Sequence, residues 1–170
     1  ALEQYLKLLL TLEEAWQSRA TYSAQLEALP GRLNALEAER HAMADREPAP
    51  WPEISETLRD QHDVQRQTVQ TEVESLNKQT ASNEVRLARL GEEIDRLLAE
   101  HVQGDKELLD ARASAPKGNE PGTGAAITDV IRLELRQQVL SVQLEARKAE
   151  REWLLKSAPL QDALLALARQ

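Results

Sequence analysis

The chain has 170 residues, of which 29% are charged and 3% are aromatic, with no Phe and no Cys. This composition, rich in Leu, Ala, Glu, Gln and Arg, is typical of long helices that bury narrow apolar stripes. The sequence has no run of alternating β-branched or aromatic residues that would indicate a strand. The 29 acidic and 21 basic residues give a net charge of −8, which disfavours nucleic-acid binding because a phosphate backbone would be repelled. The lack of Cys excludes disulfides and thiolate metal sites, but it does not indicate whether the protein lies in an oxidising or a reducing cellular compartment.

No stretch of the sequence approaches the roughly 20 apolar residues that a membrane-spanning helix needs. The best candidate, Leu8–Leu12, is bounded by Lys7 and Glu13, and no secretory signal is recognisable. The chain begins without Met and ends within an apolar helical pattern. We therefore expect a piece of a larger protein. Whether that parent has a signal sequence or membrane-spanning helices stays an open question.

The first predicted helix, about 1–46, has one narrow apolar stripe with steps of three and four, the spacing of a helix that packs on a neighbour. The stripe contains Tyr5, Leu8, Leu12, Ala15, Tyr22, Leu26, Leu29, Leu33, Leu36 and Met43. Arg19 and Arg40 occupy stripe positions, where their aliphatic stems can cover the seam. Because an interior proline costs about 3 kcal/mol, we expect a kink at Pro30. The stripe keeps its phase there, so both halves should face the same partner.

The prolines of 48–52 predict the first corner, with Trp51 packed over the end of the bundle. The second helix should then span about 53–113. Its stripe contains Val69, Val73, Leu76, Thr80, Asn83, Leu87, Leu90, Ile94 and Leu97.

Polar residues interrupt this second stripe. Thr80 and Asn83 lie in the middle of the seam, where a buried unpaired polar group costs about 1–3 kcal/mol, so both should find partners or water. His62 and Arg66 occupy the same stripe further upstream, which predicts looser packing at that end.

The Gly and Pro residues of 115–124 predict a flexible second corner, followed by a third helix over about 126–157. This helix has two apolar stripes, and a helix with two apolar faces contacts two neighbours. One stripe contains Ile127, Ile131, Leu135, Val142, Ala149 and Trp153, and the other contains Val130, Leu133, Leu140 and Leu144. Pro159 should end the helix, with a short further helix at 159–170.

Together these patterns predict an all-α fold, an elongated antiparallel coiled-coil bundle of three long helices plus a short C-terminal helix. Because short connections join antiparallel neighbours, we expect a single helical domain over 1–170.

Residues that could support chemistry are scattered along the chain. His41, His62 and His101 match no metal-binding spacing, and the acidic pairs Glu13–Glu14 and Glu92–Glu93 are typical of solvated helix faces.

The glycines Gly118, Gly122 and Gly124 lack the order of a phosphate-binding loop and indicate a hinge. No nucleophile lies in an elbow motif. We predict no catalytic, cofactor-binding or metal-binding residue, and no enzyme activity.

Tyr22, Leu26 and Pro30 follow one another at steps of four within a heptad helix that resumes at Leu33 and Leu36. This run resembles the periplasmic coiled-coil region of large MscS-like mechanosensitive channels (the MscK/MscM type), in which a proline likewise interrupts a heptad helix. A proline-containing turn and a long Gln/Glu-rich helix follow there, as at 48–52 and 58–97. The stretch 133–147 is similar to the Leu/Glu-rich helix that closes that region, whereas the 115–124 hinge has no matched counterpart.

The resemblance implies a non-catalytic periplasmic domain of an inner-membrane channel involved in the response to osmotic or envelope tension. Its partners would be the other helices of the parent protein and the other copies of a homo-oligomer. Two alternatives stay open. A helical-hairpin adaptor of an envelope export system would have flanking β-rich, lipoyl-like halves, and a generic cytoplasmic coiled-coil scaffold would belong to a parent without membrane segments.

Overall fold

A computed structural model describes residues 2–45, 56–115 and 123–168. Within these ranges every residue except Asp45 and Ala115 is α-helical, and no strand occurs. The all-α prediction is therefore confirmed. The first corner with Trp51 and most of the predicted hinge, 116–122, lie outside the described residues.

Three long helices make up the described chain: α1 (Leu2–Ala44), α2 (Glu56–Ser114) and α3 (Thr123–Ala168). The first two lie close to the predicted limits of 1–46 and 53–113. Helix α1 continues through Pro30. Pro30 itself is exposed, while the adjacent Leu29 is only 5% exposed. The kink at Pro30 stays a prediction.

Helix α3 does not follow its predicted limits. It begins at Thr123 and runs through Pro159 to Ala168, so the predicted end at 157 and the separate short helix at 159–170 are wrong.

The surroundings of Pro159 explain why the helix continues. A proline removes the hydrogen bond to the carbonyl four residues earlier, here that of Leu155. Pro159 is exposed and Leu155 is 55% exposed, so water can replace the missing bond. On the opposite face Leu154 and Leu160 are 5% and 6% exposed, and their burial holds the helix on both sides of the proline.

The described chain forms two compact units. Unit 1 consists of Ala1–Gln25 and Ala88–Trp153, and unit 2 consists of Leu26–Leu87 and Leu154–Gln170.

In unit 1, α1 and α3 run parallel. The Tyr5 hydroxyl donates a hydrogen bond to the Thr128 carbonyl at 2.8 Å, and Arg19 forms an ion pair with Glu145 at 2.7 Å. Further along both helices, the rings of Tyr22 and Trp153 lie 5.8 Å apart.

Helix α2 runs antiparallel to α3 in the same unit. Glu107 pairs with Arg136 at 3.7 Å, and Glu93 pairs with Arg147 at 3.1 Å. Unit 1 is therefore an up-down-up arrangement in which α3 contacts both other helices, as its two apolar stripes predict.

The core of unit 1 is small and aliphatic. It contains Ala15, Leu90, Ile94, Leu97, Val139, Leu140, Val142 and Ala146. Positions from all four predicted stripes are among these residues, whereas Val139 and Ala146 belong to neither predicted stripe of α3. Ile127 and Ile131, however, are 51% and 49% exposed, so the described helices cover that end of one α3 stripe only in part.

In unit 2, Leu29, Leu154 and Leu160 are buried, and the Thr80 hydroxyl lies 3.0 Å from the Leu76 carbonyl and 3.5 Å from Gln161 Oε1. Thr80 thus has partners, as predicted, whereas the buried Asn83 Nδ2 has none among the described residues. All residues of 59–72 are exposed, in agreement with the expected looser packing around His62 and Arg66.

We expect Leu90→Ala to lower the free energy of unfolding by about 2–5 kcal/mol, because Leu90 is fully buried and a cavity would remain. Urea unfolding followed by circular dichroism measures this change. Val85→Ala is the matched control: Val85 is 54% exposed, and Ala is the better helix former, so its stability should be unchanged or slightly higher. Equal losses in the two variants would contradict the core described here.

Candidate functional site

Polar side chains interrupt the apolar seam between α2 and α3 in unit 1. Gln137, which is 8% exposed, fills the gap between Leu133 and Leu140 in one predicted α3 stripe. Gly104 is buried on the facing helix. The site is therefore built from residues that occupy core positions without being apolar.

The Gln137 amide packs against α2 over Gly104. Its Nε2 donates a hydrogen bond to the His101 carbonyl at 2.9 Å and another to Asp105 Oδ1 at 2.5 Å. Asp105 also contacts His101, with 3.3 Å between Oδ2 and Nδ1. We call His101, Gly104, Asp105 and Gln137 the Gln137 layer.

Gly104 makes room for this amide. A Cβ at position 104 would lie 2.5 Å from Gln137 Oε1, closer than real atoms approach. Gln137 Oε1 is buried and has no hydrogen-bond partner among the described residues. Because a polar side chain at a seam position often specifies register, we expect the layer to fix the axial register of α2 against α3.

A second polar contact lies further along the same seam. Arg147 Nε pairs with Glu93 at 3.1 Å, and Arg147 Nη1 pairs with Glu150 at 2.9 Å. The Glu150 side chain is only 7% exposed, and a carboxylate buried to this extent is costly unless a cation lies close to it. We call Arg147, Glu93 and Glu150 the Arg147 cluster.

Beside this cluster, unit 1 has an open cleft of about 270 Å³ with walls from all three helices. Charged and polar side chains make up most of its lining, and the charged ones are Glu14, Glu93, Arg96, Glu100 and Arg147. Pockets for small molecules are usually enclosed and mostly apolar. This cleft has neither property, and its charges suit contacts between helices.

The candidates considered from the sequence do not converge on one place. His41 and His62 are exposed, whereas His101 belongs to the Gln137 layer. Gly118 and Gly122 lie outside the described residues, and Gly124 is exposed in the first turn of α3.

The acidic pairs also stay apart. Glu13, Glu14 and Glu92 are exposed, and Glu93 is half-buried in the Arg147 cluster. Within the described ranges, no group of three or more His, Asp or Glu side chains is placed to hold a metal ion.

Apolar periodicity missed Gly104, Gln137 and Arg147. A signal was present for Gln137: the step from Leu133 to Leu140 skips one heptad position, and Gln137 occupies it. The same step of four and three from Leu97 passes His101 and reaches Gly104.

These features define the class of the molecule as an all-α protein whose three long helices are joined by an aliphatic seam with polar inserts. No protein-family model, curated protein or solved structure matches the chain. Among the described helices, none is apolar enough over a sufficient length to cross a membrane.

Two glycines of α2 test the Gln137 layer. Gly91→Ala should raise stability by about 0.5–1 kcal/mol, because Ala is the better helix former and nothing lies within 4 Å of its new Cβ. Gly104→Ala should be less favourable than Gly91→Ala by about 1–2 kcal/mol, because it displaces the hydrogen-bonded amide of Gln137. Denaturant unfolding measures both changes.

A Gln137→Ala background supplies the control for this comparison. Without the amide, the two glycine substitutions should give the same change in stability. Equal effects of the two substitutions in the wild-type chain would mean that Gln137 moves aside freely and fixes no register.

We expect Arg147→Leu to lower the free energy of unfolding by about 1–2 kcal/mol, because it removes a cation from the nearly buried Glu150 carboxylate. Arg151→Leu, at an exposed position of the same helix, should change stability by less than about 0.5 kcal/mol. Thermal unfolding of both variants measures the difference. A loss as large in Arg151→Leu as in Arg147→Leu would refute a specific role for the cluster.

Proposed function

We propose that the chain is a non-catalytic structural and interaction domain in the periplasmic region of a large MscS-like mechanosensitive channel. The observation that supports this most directly is how the polar side chains between the helices are used. Gln137, Arg147 and Arg19 each join α3 to another helix, through contacts to His101, Glu93 and Glu145. Side chains that pair across helices in this way hold the helices together, which supports a structural role.

The contacts also have a mechanical consequence. An apolar seam alone resists separation of helices but resists sliding only weakly, since one leucine can replace another. A slip of one helical turn, about 5.4 Å, would break the hydrogen bonds of Gln137 and the ion pair of Arg147 with Glu93. A domain built in this way can bear force along its helices without changing register, which suits a part of a channel that responds to tension.

The assignment to this class of channel rests on the resemblance around Tyr22, Leu26 and Pro30. In the structure these residues lie in one continuous helix, α1, and the Tyr22 ring packs near Trp153 of α3. In this proposal conduction belongs to other segments of the parent, and the domain contacts other helices of the parent and other copies of the oligomer.

Reporter fusions to the parent protein test the proposed location. Alkaline phosphatase fused after position 170 in the natural reading frame should be active, because that enzyme folds only outside the cytoplasm, whereas β-galactosidase fused at the same position should be inactive. The opposite pattern would contradict a periplasmic domain and favour the cytoplasmic scaffold.

The reading frame of the parent protein also distinguishes the channel from the export adaptor. A signal before the domain and several membrane spans after it are expected for the channel, and the parent should rescue channel-deficient bacteria from hypo-osmotic shock. Flanking β-rich, lipoyl-like halves without rescue would instead identify an export adaptor.

A further inference from the structure

We propose that the start of α2 is a conformational device: residues 59–72 unwind and refold as one unit while the packed remainder of the chain stays helical. We call these residues the 59–72 segment. Every one of them is exposed, including Val64 and Val69, whose exposed fractions are 65% and 41%. The proposal concerns this chain alone and does not depend on which parent protein contains it.

The segment lies past the end of the helix that covers the following part of α2 in unit 2. Thr80 lies beside Gln161, and Leu76 lines one cleft together with Leu167 and Ala168. Lower positions on α2 therefore meet higher positions on α3, as in an antiparallel pair. Because α3 is described only as far as Ala168, α2 has no described α3 neighbour over the 59–72 segment.

Polar contacts do not replace this missing neighbour. Among the described residues, the side chains of the segment make hydrogen bonds only within it. The Thr68 hydroxyl donates to the Val64 carbonyl at 2.9 Å, and the Thr71 hydroxyl donates to the Gln67 carbonyl at 2.8 Å. Such bonds to the carbonyl four residues earlier slightly destabilise a helix. The segment is therefore held neither by burial nor by polar contacts to another described helix.

Helix propensity does not hold the segment strongly either. It contains neither Ala nor Leu, and half of its residues are weaker helix formers: Asp60, His62, Asp63, Val64, Thr68, Val69 and Thr71. A helix of roughly 12–15 residues without tertiary support is marginal in water even when it is rich in Ala. The segment should therefore open far more readily than the packed helices do.

Packing determines where the opening stops. Val73 and Leu76 are half-buried, and Leu90, further along α2, is fully buried. Unwinding beyond Val73 would expose these apolar side chains to water, which is unfavourable. Helix α2 can thus begin either at Glu56, as in the structure, or at about Val73.

The two states differ in length. The helical segment is about 21 Å long, whereas the same residues in an extended chain span up to about 48 Å. Tension across the segment therefore favours the open state, and release of the tension allows the helix to re-form. The Gln137 layer and the Arg147 cluster lie outside the segment, so their contacts stay intact when it opens.

Native-state proteolysis with trypsin tests the local opening. Arg66 lies in the segment, and Arg96, whose side chain is 70% exposed, lies in the packed part of α2. Because cleavage requires an unwound chain, the bond after Arg66 should be cut at least about tenfold faster than the bond after Arg96. Equal rates at the two bonds would overturn the proposal.

Substitutions that strengthen the helix test the cause of the opening. The double variant Thr68→Ala/Thr71→Ala replaces two weak helix formers at exposed positions, and it should slow cleavage after Arg66 by about five- to tenfold. Thr21→Ala is the control, since the exposed Thr21 of α1 makes the same kind of bond, to the Gln17 carbonyl. This control should leave the rate unchanged. An unchanged rate in the double variant, or equal slowing in Thr21→Ala, would contradict local unwinding.

Optical tweezers test the response to tension, since the chain has no Cys and handles can be attached to pairs of introduced cysteines. With handles at Asp60→Cys and Glu74→Cys, the segment should open reversibly and lengthen by about 25 Å before the rest of the chain unfolds.

The control for this measurement is the pair Glu92→Cys and Lys106→Cys, which has the same spacing and lies at exposed positions in the packed part of α2. That pair should separate only at a clearly higher force. Opening of both pairs at the same force, or no opening of the first pair before the whole chain unfolds, would overturn the proposal.

Discussion

The packing of α3 against both of its neighbours in unit 1 is the constraint on which the rest of the structure depends. Among the described residues, α3 contributes more buried positions than α1 and α2 together. One side of it meets α1 through Tyr22, Trp153 and the Arg19–Glu145 pair, and another meets α2 through Leu140 and the Gln137 layer. Because the chain has so few aromatic residues, burial of small aliphatic side chains along α3 must supply most of the stabilisation.

Much of this fold can be predicted from the sequence, because apolar spacing reports which residues share a helix face. Ala15, Leu29 and Leu90 were expected in the seams and are buried there. The spacing does not report whether a neighbour covers a face, so Ile127 was expected inside and is half exposed. The spacing marks position 137 as a seam position, but it does not report that the Gln137 amide is buried there, since that placement depends on the space above Gly104 on another helix.

The polar inserts connect the fold with the proposed role. The contacts of Gln137 and Arg147 oppose sliding of α2 along α3, which an apolar seam alone resists only weakly. Arg19 links α1 to the same helix, α3. These contacts suit a domain that keeps its own helices in one register.

Amide hydrogen exchange followed by mass spectrometry tests most directly whether α3 holds the structure together. Local opening energies in a protein range from near zero in unsupported segments up to the full free energy of unfolding in the core. The slowest exchange should therefore lie in α3 between positions 137 and 161, and residues 59–72 of α2, which are all exposed, should exchange much faster. Protection of 59–72 equal to that of 137–161 would contradict the account.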